Sequence, residues 1–344
     1  MSIEIFFGIE LPVIQAPMAG VQTSAMAIAV SSAGGLGSLP CAMLTPESLR
    51  AELAAITAQT SRPYNVNFFC HTQVAPDTAR EARWRSALAP YYAEFGIDPT
   101  RVPPGAGRAP FSTEFVDVLA TFRPPVVSFH FGLPSPQLLQ RVKSWGAKVL
   151  SSATTVAEAR WLEANGADAI IAQGLEAGGH RGLFLSDDLT TQVGTMALLP
   201  QVLRAVRVPV IAAGGIADAR GVQAALTLGA AGVQVGTSYL LCPEATTTAL
   251  HRAALKNERA EHTALTNLIT GRPARGIYNR LMRELGSLSD APPAFPFATA
   301  ALTPLRVAAE KLGCDDFSTL WSGQNASGCR EIPAADLTWL LAAA

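Results

Sequence analysis

The chain has 344 residues, 49% of them hydrophobic and 15% charged, which is enough apolar material for a large buried core and excludes a disordered chain. Its 28 Gly and 24 Pro imply many tight turns between short elements. Lys and Arg number 26 against 27 Asp and Glu, a net charge of −1 that supplies no electrostatic footprint for nucleic acid or an anionic membrane.

The opening segment MSIEIFFGIELPVIQAPMAG carries Glu4 and Glu10 and lacks the basic start and long apolar run of a secretory signal. No apolar run reaches about 18 residues without a charge, proline or glycine-rich break, so no membrane span is expected. Cys41, Cys70, Cys242, Cys314 and Cys329 are odd in number, scattered and never in a CxxC spacing, the pattern of reduced thiols. The expectation is a soluble cytoplasmic protein.

Eight short apolar runs recur along the chain as predicted strands: 13–18 (VIQAPM), 36–40 (LGSLP), 64–69 (YNVNFF), 126–131 (VVSFHF), 148–153 (KVLSSA), 169–173 (AIIAQ), 208–213 (VPVIAA) and 232–236 (GVQVG). Most are followed by a helical pattern. One spans 45–59, opened by Thr45 as N-cap with Pro46 at the first helical position and Glu47 in the first turn. Others span 155–165 and 218–228, closed by Gly166 and Gly229. This alternation predicts an α/β fold, a TIM (β/α)8 barrel. The stretch 71–125 is too long for one crossover and contains the turn-rich RVPPGAGRAP, so an excursion is expected there. A smaller helical lid is expected over 243–309, roofing the C-terminal face of a barrel built from 1–242 and 310–344.

Barrel enzymes place reactive groups at the C-terminal ends of strands, and phosphate at the loops after the seventh and eighth. The seventh run leads into AAGGIAD and the eighth into QVGTS, so Gly214, Gly215, Gly236, Thr237 and Ser238 form a candidate phosphate site. Each glycine alone reads equally as an ordinary strand-to-helix turn. The sixth run leads into AQGLEAGGHRG, whose glycines carry Glu176, His180 and Arg181 out of the barrel, and His180 is the candidate functional histidine. In VVSFHF, alternation puts Ser128 and His130 on one face, with His130 either at the barrel mouth or hydrogen-bonded in the core. In YNVNFF it puts Asn65 and Asn67 inward, where amides need partners, and Asn67 is the candidate ligand contact.

Absences narrow the chemistry. Of the four lysines only Lys148 lies on a strand, at its N-terminal end, which disfavours a Schiff base. His71, His130 and His180 allow a three-histidine metal site to be imagined, but no HxH or HExxH spacing occurs and no metal is expected. His251 and His262 read as solvated helix surface.

Eight motifs, QAPMAG (15–20), NVNFF (65–69), SFHFGLP (128–134), AQGLEAGGHRG (172–182), AAGGIADARG (212–221), QVGTSYLLCPEA (234–245), TGRPARG (270–276) and LWSGQ (320–324), together resemble the nitronate monooxygenase family, formerly 2-nitropropane dioxygenases. The chain looks most like the bacterial class I enzymes, over nearly its whole length. The resemblance implies an FMN-bearing TIM barrel with a substrate-binding lid. Matched by motif, Met18, Asn67, Gln173, Gly178, Gly215, Gln234, Val235, Gly236 and Thr237 would bind FMN. His180 would be catalytic, with His130 as a second donor. The implied partners are a small nitronate, such as propionate 3-nitronate, and O₂, with a carbonyl compound and nitrite as products and detoxification of nitro compounds as the role. Neither nucleic acid nor membrane is implied, and a homodimer is left open. Two rivals remain: an FMN-dependent NAD(P)H:quinone or enoyl-thioester reductase on the same fold, and a flavin-free phosphate-binding isomerase or synthase. Tyr278 is the lid's main hydroxylated ring, while Phe295 and Phe297 place rings without donors, which bears on substrate preference.

Overall fold

The computed structural model describes residues 2–102 and 108–343. Residues 103–107 of RVPPGAGRAP therefore lie outside the described residues.

All eight predicted strands form, as β1 (Val13–Gln15), β2 (Gly37–Pro40), β3 (Tyr64–Phe69), β4 (Val126–His130), β5 (Lys148–Ala153), β6 (Ala169–Gln173), β8 (Val210–Ala213) and β9 (Gly232–Val235). They pair in parallel in the order β1-β9-β8-β6-β5-β4-β3-β2. The ring closes where Gln15 N donates to Leu36 O at 3.0 Å and Leu36 N to Val13 O at 2.9 Å. This is a TIM barrel flanked by helices. Several strands are shorter than the apolar runs for local reasons. Pro17 and Pro209 cannot donate to a ladder, and Phe131 turns to φ +68, a left-handed conformation that ends β4.

Helix signals in the sequence translate directly. Thr45 caps Pro46–Gln59 in a reciprocal capping box with Ser48. Thr155 caps Val156–Ala164 and Asp218 caps Ala219–Thr227, while Gly166 and Gly229 turn the chain at φ +98 and +103. Val66, Phe68, Val127 and Phe129 face outward into the layer between strands and helices. Inside the N-terminal end, Ile14, Leu36, Leu150, Ile171 and Ile211 pack with Ile3 and Phe7 of the short helix Ile3–Phe7, plugging the barrel.

The roof differs from the expectation of helices alone. Segment 243–309 holds the helices Ala249–Leu255 and Arg280–Leu285 and most of Ala298–Lys311, but also β10 (Thr263–Thr266) and β11 (Ala274–Ile277). β11 pairs antiparallel with both β10 and β7 (Gly179–His180), making a separate three-stranded sheet. The excursion also contributes: Trp84, Leu88 and Tyr92 of the helix Thr78–Glu94 share one apolar cluster with Leu268, Leu302, Leu305 and Phe317. Trp84 Nε1 donates to Ala298 O at 3.1 Å and the Tyr92 hydroxyl to Ala301 O at 2.6 Å, which tie the excursion to the roof. No helix among the described residues is long and apolar enough to cross a membrane, and the five cysteines are unpaired.

Candidate active site

A cavity of about 370 Å³ lies between the C-terminal ends of the strands and the roof. Met18, Asn67, His130, Gln173, Gly178, His180, Gly215, Gln234, Gly236 and Thr237 all line it, as does Gly214, whereas Ser238 is buried away from it and donates to Ala217 O at 3.3 Å. Val235 does not line the cavity. Its side chain is buried in the cluster between strands and helices, as period-two alternation beside Gln234 requires.

Below the cavity, the barrel's inward polar residues hydrogen-bond one another, with Asn65 Oδ1 left unpartnered. Asn65 donates to Ser38 Oγ at 3.0 Å and Ser128 Oγ at 2.9 Å, and Asn67 Nδ2 also reaches Ser128 Oγ at 2.9 Å. These are the partners that inward amides demand. Gln22 Nε2 donates to Ser38 O at 2.6 Å and Gln22 Oε1 accepts from Met18 N at 2.9 Å, fixing the turn that carries Met18.

His130 is placed at the mouth, but both ring nitrogens are engaged by the protein. Nε2 lies 3.1 Å from His180 O, a carbonyl that only accepts, so Nε2 carries the hydrogen. Nδ1 then accepts from Ser152 Oγ at 3.1 Å. Burial pushes its pKa down to about 3, so the ring is neutral. A free second donor from His130 is therefore not what the geometry provides: the ring holds the His180 main chain. Gln173 does the same, with Nε2 donating to His180 O at 3.0 Å and Oε1 accepting from Gly182 N at 2.8 Å. A Cβ on Gly182 would lie 2.9 Å from His130 Cε1, so a glycine is needed for the loop to lie this close.

Glu176 and Arg181 turn inward as structural groups. The Glu176 carboxylate accepts from Thr195 N at 2.8 Å and Thr195 Oγ1 at 2.8 Å, capping the helix Thr195–Ala205. Arg181 is fully buried and donates to Gly174 O, Gln173 O and Gln192 Oε1 at 2.7 to 3.0 Å.

His180 enters the cavity from β7, clamped by pairing with Ala274. Nε2 lies 3.0 Å from Thr270 Oγ1. The rings of Phe69, Phe131, Phe295 and Trp321 surround it at 5.5 to 6.0 Å. Burial, then the charges of Arg108 and Arg272 among its neighbours, hold its pKa well below the ordinary histidine range. Arg272 stacks 4.0 Å over Phe131, and Arg108 stands 5.7 Å from the Phe295 ring. His71 donates to Arg108 O at 2.8 Å. Among the described residues no cluster of three or more His, Cys, Asp or Glu side chains is placed to hold a metal ion.

The opposite end of the cavity is made of main chain. Gly214 and Gly215 sit at φ +117 and +73. A Cβ on Gly236 would enter the cavity 3.3 Å from Ala16 Cβ and 3.8 Å from Met18 Sδ. Among the described residues, the N–H groups of Gly215, Gly236 and Thr237 take no protein acceptor. Gln234 Oε1 is buried without a partner. The segment after Trp321 closes this end, with Gly323 N donating to Thr237 Oγ1 at 2.9 Å and Asn325 Nδ2 to Gly215 O at 3.1 Å.

Three basic side chains of the cavity have no counterpart among the sequence candidates. Arg108 lies in the excursion, Arg306 on the roof helix, and His251 was read as solvated. His251 is 2% exposed, its Nε2 has no partner, and burial lowers its pKa to about 4. The unexposed side of its short helix faces the cavity, which helical periodicity over seven residues does not reveal. His262, by contrast, is exposed and stacks on Tyr278 at 4.4 Å, and neither ring lines the cavity.

The family model described as nitronate monooxygenase matches residues 2–343. The nitronate monooxygenase of Pseudomonas aeruginosa is 45% identical over 332 residues, which cover 96% of this chain and 95% of that one. Among solved structures, nitroalkane oxidase from Streptomyces ansochromogenes superposes with a TM-score of 0.88 at 39% identity, over 97% of this chain and 95% of that one. FabK from Thermotoga maritima superposes with a TM-score of 0.71 at 27% identity, over 99% and 94%. The chain belongs to the nitronate monooxygenase family, and it is an oxidoreductase.

Proposed function

We propose that this enzyme binds FMN and oxidises alkyl nitronates with O₂ to a carbonyl compound and nitrite. The observation that carries the reading is the division of one cavity into a main-chain cradle suited to an anion and a neutral, half-buried histidine. The residues present fit the cofactor. Gly215, Gly236 and Thr237 offer unpartnered N–H groups to a phosphate, and the left-handed glycines let the main chain approach. Asn67 and Gln234 line the cavity, and Gln234 Oε1, which has no protein donor, is an acceptor for a ring N–H group. Met18 supplies an apolar contact for a planar ring. When bound, FMN supplies the electron transfer between substrate and O₂.

The chain's own residues position and discharge the substrate. The Thr270 hydroxyl reaches Arg272 O at 3.2 Å, and with its hydrogen there, Thr270 accepts from His180 Nε2. Nδ1 of His180 then carries a free lone pair, suited to take the α-proton of a neutral nitroalkane or the hydrogen of a bound ligand. Arg108 and Arg272 supply the positive field that favours an anionic nitro group. The ring cage of Phe69, Phe131 and Phe295 excludes water, which strengthens that attraction. We further propose that the roof, 243–309 together with the helix Thr78–Glu94, is the substrate lid.

Anaerobic mixing tests the reading. Protein reconstituted with FMN is expected to bleach rapidly with a nitronate and slowly or not at all with NADH. Fast bleaching by NADH alone transfers the case to a reductase, and failure to take up any flavin defeats both.

A further inference from the structure

The helix Ala249–Leu255 rests against the loop that leaves the main-chain cradle. Arg252 fixes it there, donating to Leu241 O and Cys242 O at 2.8 Å and to Ala245 O at 2.9 Å. His251, one position earlier, lines the cavity together with Thr237, Leu240 and Trp321. The Trp321 carbonyl accepts from the His251 ring while Nε2 has no protein partner, so Nδ1 carries the hydrogen and Nε2 keeps its lone pair. With the residue only 2% exposed, that lone pair is sealed from bulk water. A buried acceptor without a donor is rare in a folded protein, and at a cavity wall a ligand can complete it.

Position decides which donor fits. Gly323 N donates to Thr237 Oγ1 at 2.9 Å, and Trp321, two residues back on the same segment, holds His251. Two residues of chain span at most about 7 Å, so the imidazole stands within a side chain's reach of the cradle lip. An anionic nitronate and O₂ have no polar hydrogen to give. On FMN the donors are the ring N–H, at the end of the flavin away from the phosphate, and the ribityl hydroxyls, which begin on the carbon next to the phosphate ester. Only the hydroxyls match an acceptor beside the phosphate cradle.

We propose that His251 is a cofactor-binding residue whose Nε2 accepts a hydrogen bond from a ribityl hydroxyl of FMN. The assignment rests on the flavin reading above and adds the sugar-alcohol chain to the phosphate and ring contacts. A matched pair of flavins tests it: FMN, and the analogue in which a phosphopentyl chain replaces phosphoribityl, so that ring and phosphate are kept and the hydroxyls are lost. Titration of the flavin-free protein, followed by quenching of flavin fluorescence, gives both Kd values without turnover. His251→Asn brings Nδ2 to the place of Nδ1, keeping a donor for Trp321 O, and has no atom at the reach of Nε2. The preference for FMN over the analogue is expected to fall about 3- to 10-fold, the worth of one neutral hydrogen bond. His251→Gln, which can bring Oε1 to the reach of Nε2, is expected to recover part of it. An unchanged preference in His251→Asn, with both flavins weakened alike or not at all, overturns the proposal, because a residue that only holds the segment acts on both equally. In the parent labelled with ¹⁵N-histidine, the Nε2 resonance of His251 is expected to lie upfield with FMN relative to the analogue, and identical positions overturn the proposal without any substitution. A parent protein that takes up neither flavin defeats the cofactor reading itself, whereas equal affinity for the two leaves that reading standing and overturns the hydroxyl contact.

Discussion

His130 on β4 and His180 on β7 share one cavity, and the fold treats their rings in opposite ways. Both nitrogens of His130 are engaged by Ser152 and the His180 main chain, as are both ends of the Gln173 amide. His180 gives one nitrogen to Thr270 and keeps the other. The same contrast separates the barrel wall from the rim of the cavity. Below, the Gln22 amide and the amide hydrogens of Asn65 and Asn67 find protein partners and leave Asn65 Oδ1 unpartnered, whereas Gln234 Oε1 and His251 Nε2 stand without partners around the edge. Polar groups in a closed barrel must be satisfied by protein, and so they set shape. Groups whose partners the fold withholds are the ones left to meet a ligand.

Replacing the two histidines breaks or sharpens that comparison most strongly. His180→Asn is expected to retain FMN and lose about 10²- to 10⁴-fold in nitronate turnover, the usual contribution of one proton-handling group. His130→Asn is expected to act mainly on stability and on the placement of residue 180. Steady-state turnover beside flavin content separates the two. Equal turnover losses, or unchanged turnover in His180→Asn, would erase the distinction.

The main-chain cradle gives the next largest effect. A Cβ on Gly178 would lie 2.5 Å from Gly323 N and 2.6 Å from the Ser322 carbonyl carbon, both main chain. Gly178→Ala therefore forces the closing segment outward, at about 1–3 kcal/mol in a packed site. Reduced flavin occupancy together with a lower Tm is expected. Full occupancy at an unchanged Tm would show that the segment yields freely.

Which parts of this were legible in the sequence follows from how local each signal is. The strands were, because a short apolar run with Pro or Gly at its edges depends on neighbours only: β3 and β5 form over the expected residues. The glycine pairs at the ends of β8 and β9 were legible for the same reason. The roof sheet was not, since β7 has two residues and finds its partner β11 about ninety positions away. Arg108 and His251 were missed alike. One lies in a turn-rich loop with no periodicity, and the other faces the cavity only because the roof folds back over the barrel. His130 was legible as a mouth residue, but the chemistry of its nitrogens depends on Ser152 and a carbonyl that the loop brings back.

Acid sharpens the contrast through stability. Burial holds His130 near 3 and His251 near 4, below the ordinary 6.5, so the folded protein binds fewer protons than the unfolded chain as pH drops below about 6.5. Stability is therefore complete above that value and falls toward pH 4, by up to about 1.4 kcal/mol per pH unit for each ring. Carboxylates with lowered pKa, such as Glu94 and Asp98, act only below about 4.5 and leave the upper part of the window to the histidines. Urea melts between pH 7 and 5 measure the slope, and His251→Gln is expected to reduce it. A flat profile would mean that water reaches both rings.

The smallest expected effect is the most diagnostic, because its sign reverses with the ligand. Gln234 Oε1 is buried with no donor, and such an atom costs about 1–3 kcal/mol in the folded state. Gln234→Leu removes it at similar volume, so the flavin-free protein is expected to gain up to about 1 kcal/mol, seen in denaturant melts. The same substitution removes an acceptor from the proposed flavin site, and FMN affinity is expected to fall about tenfold, the worth of one ordinary hydrogen bond. Opposite signs in the two measurements would show that the fold leaves this atom unsatisfied for a ligand's sake. Destabilisation of both forms would show instead that Gln234 is part of the barrel wall, on the same side of the comparison as His130.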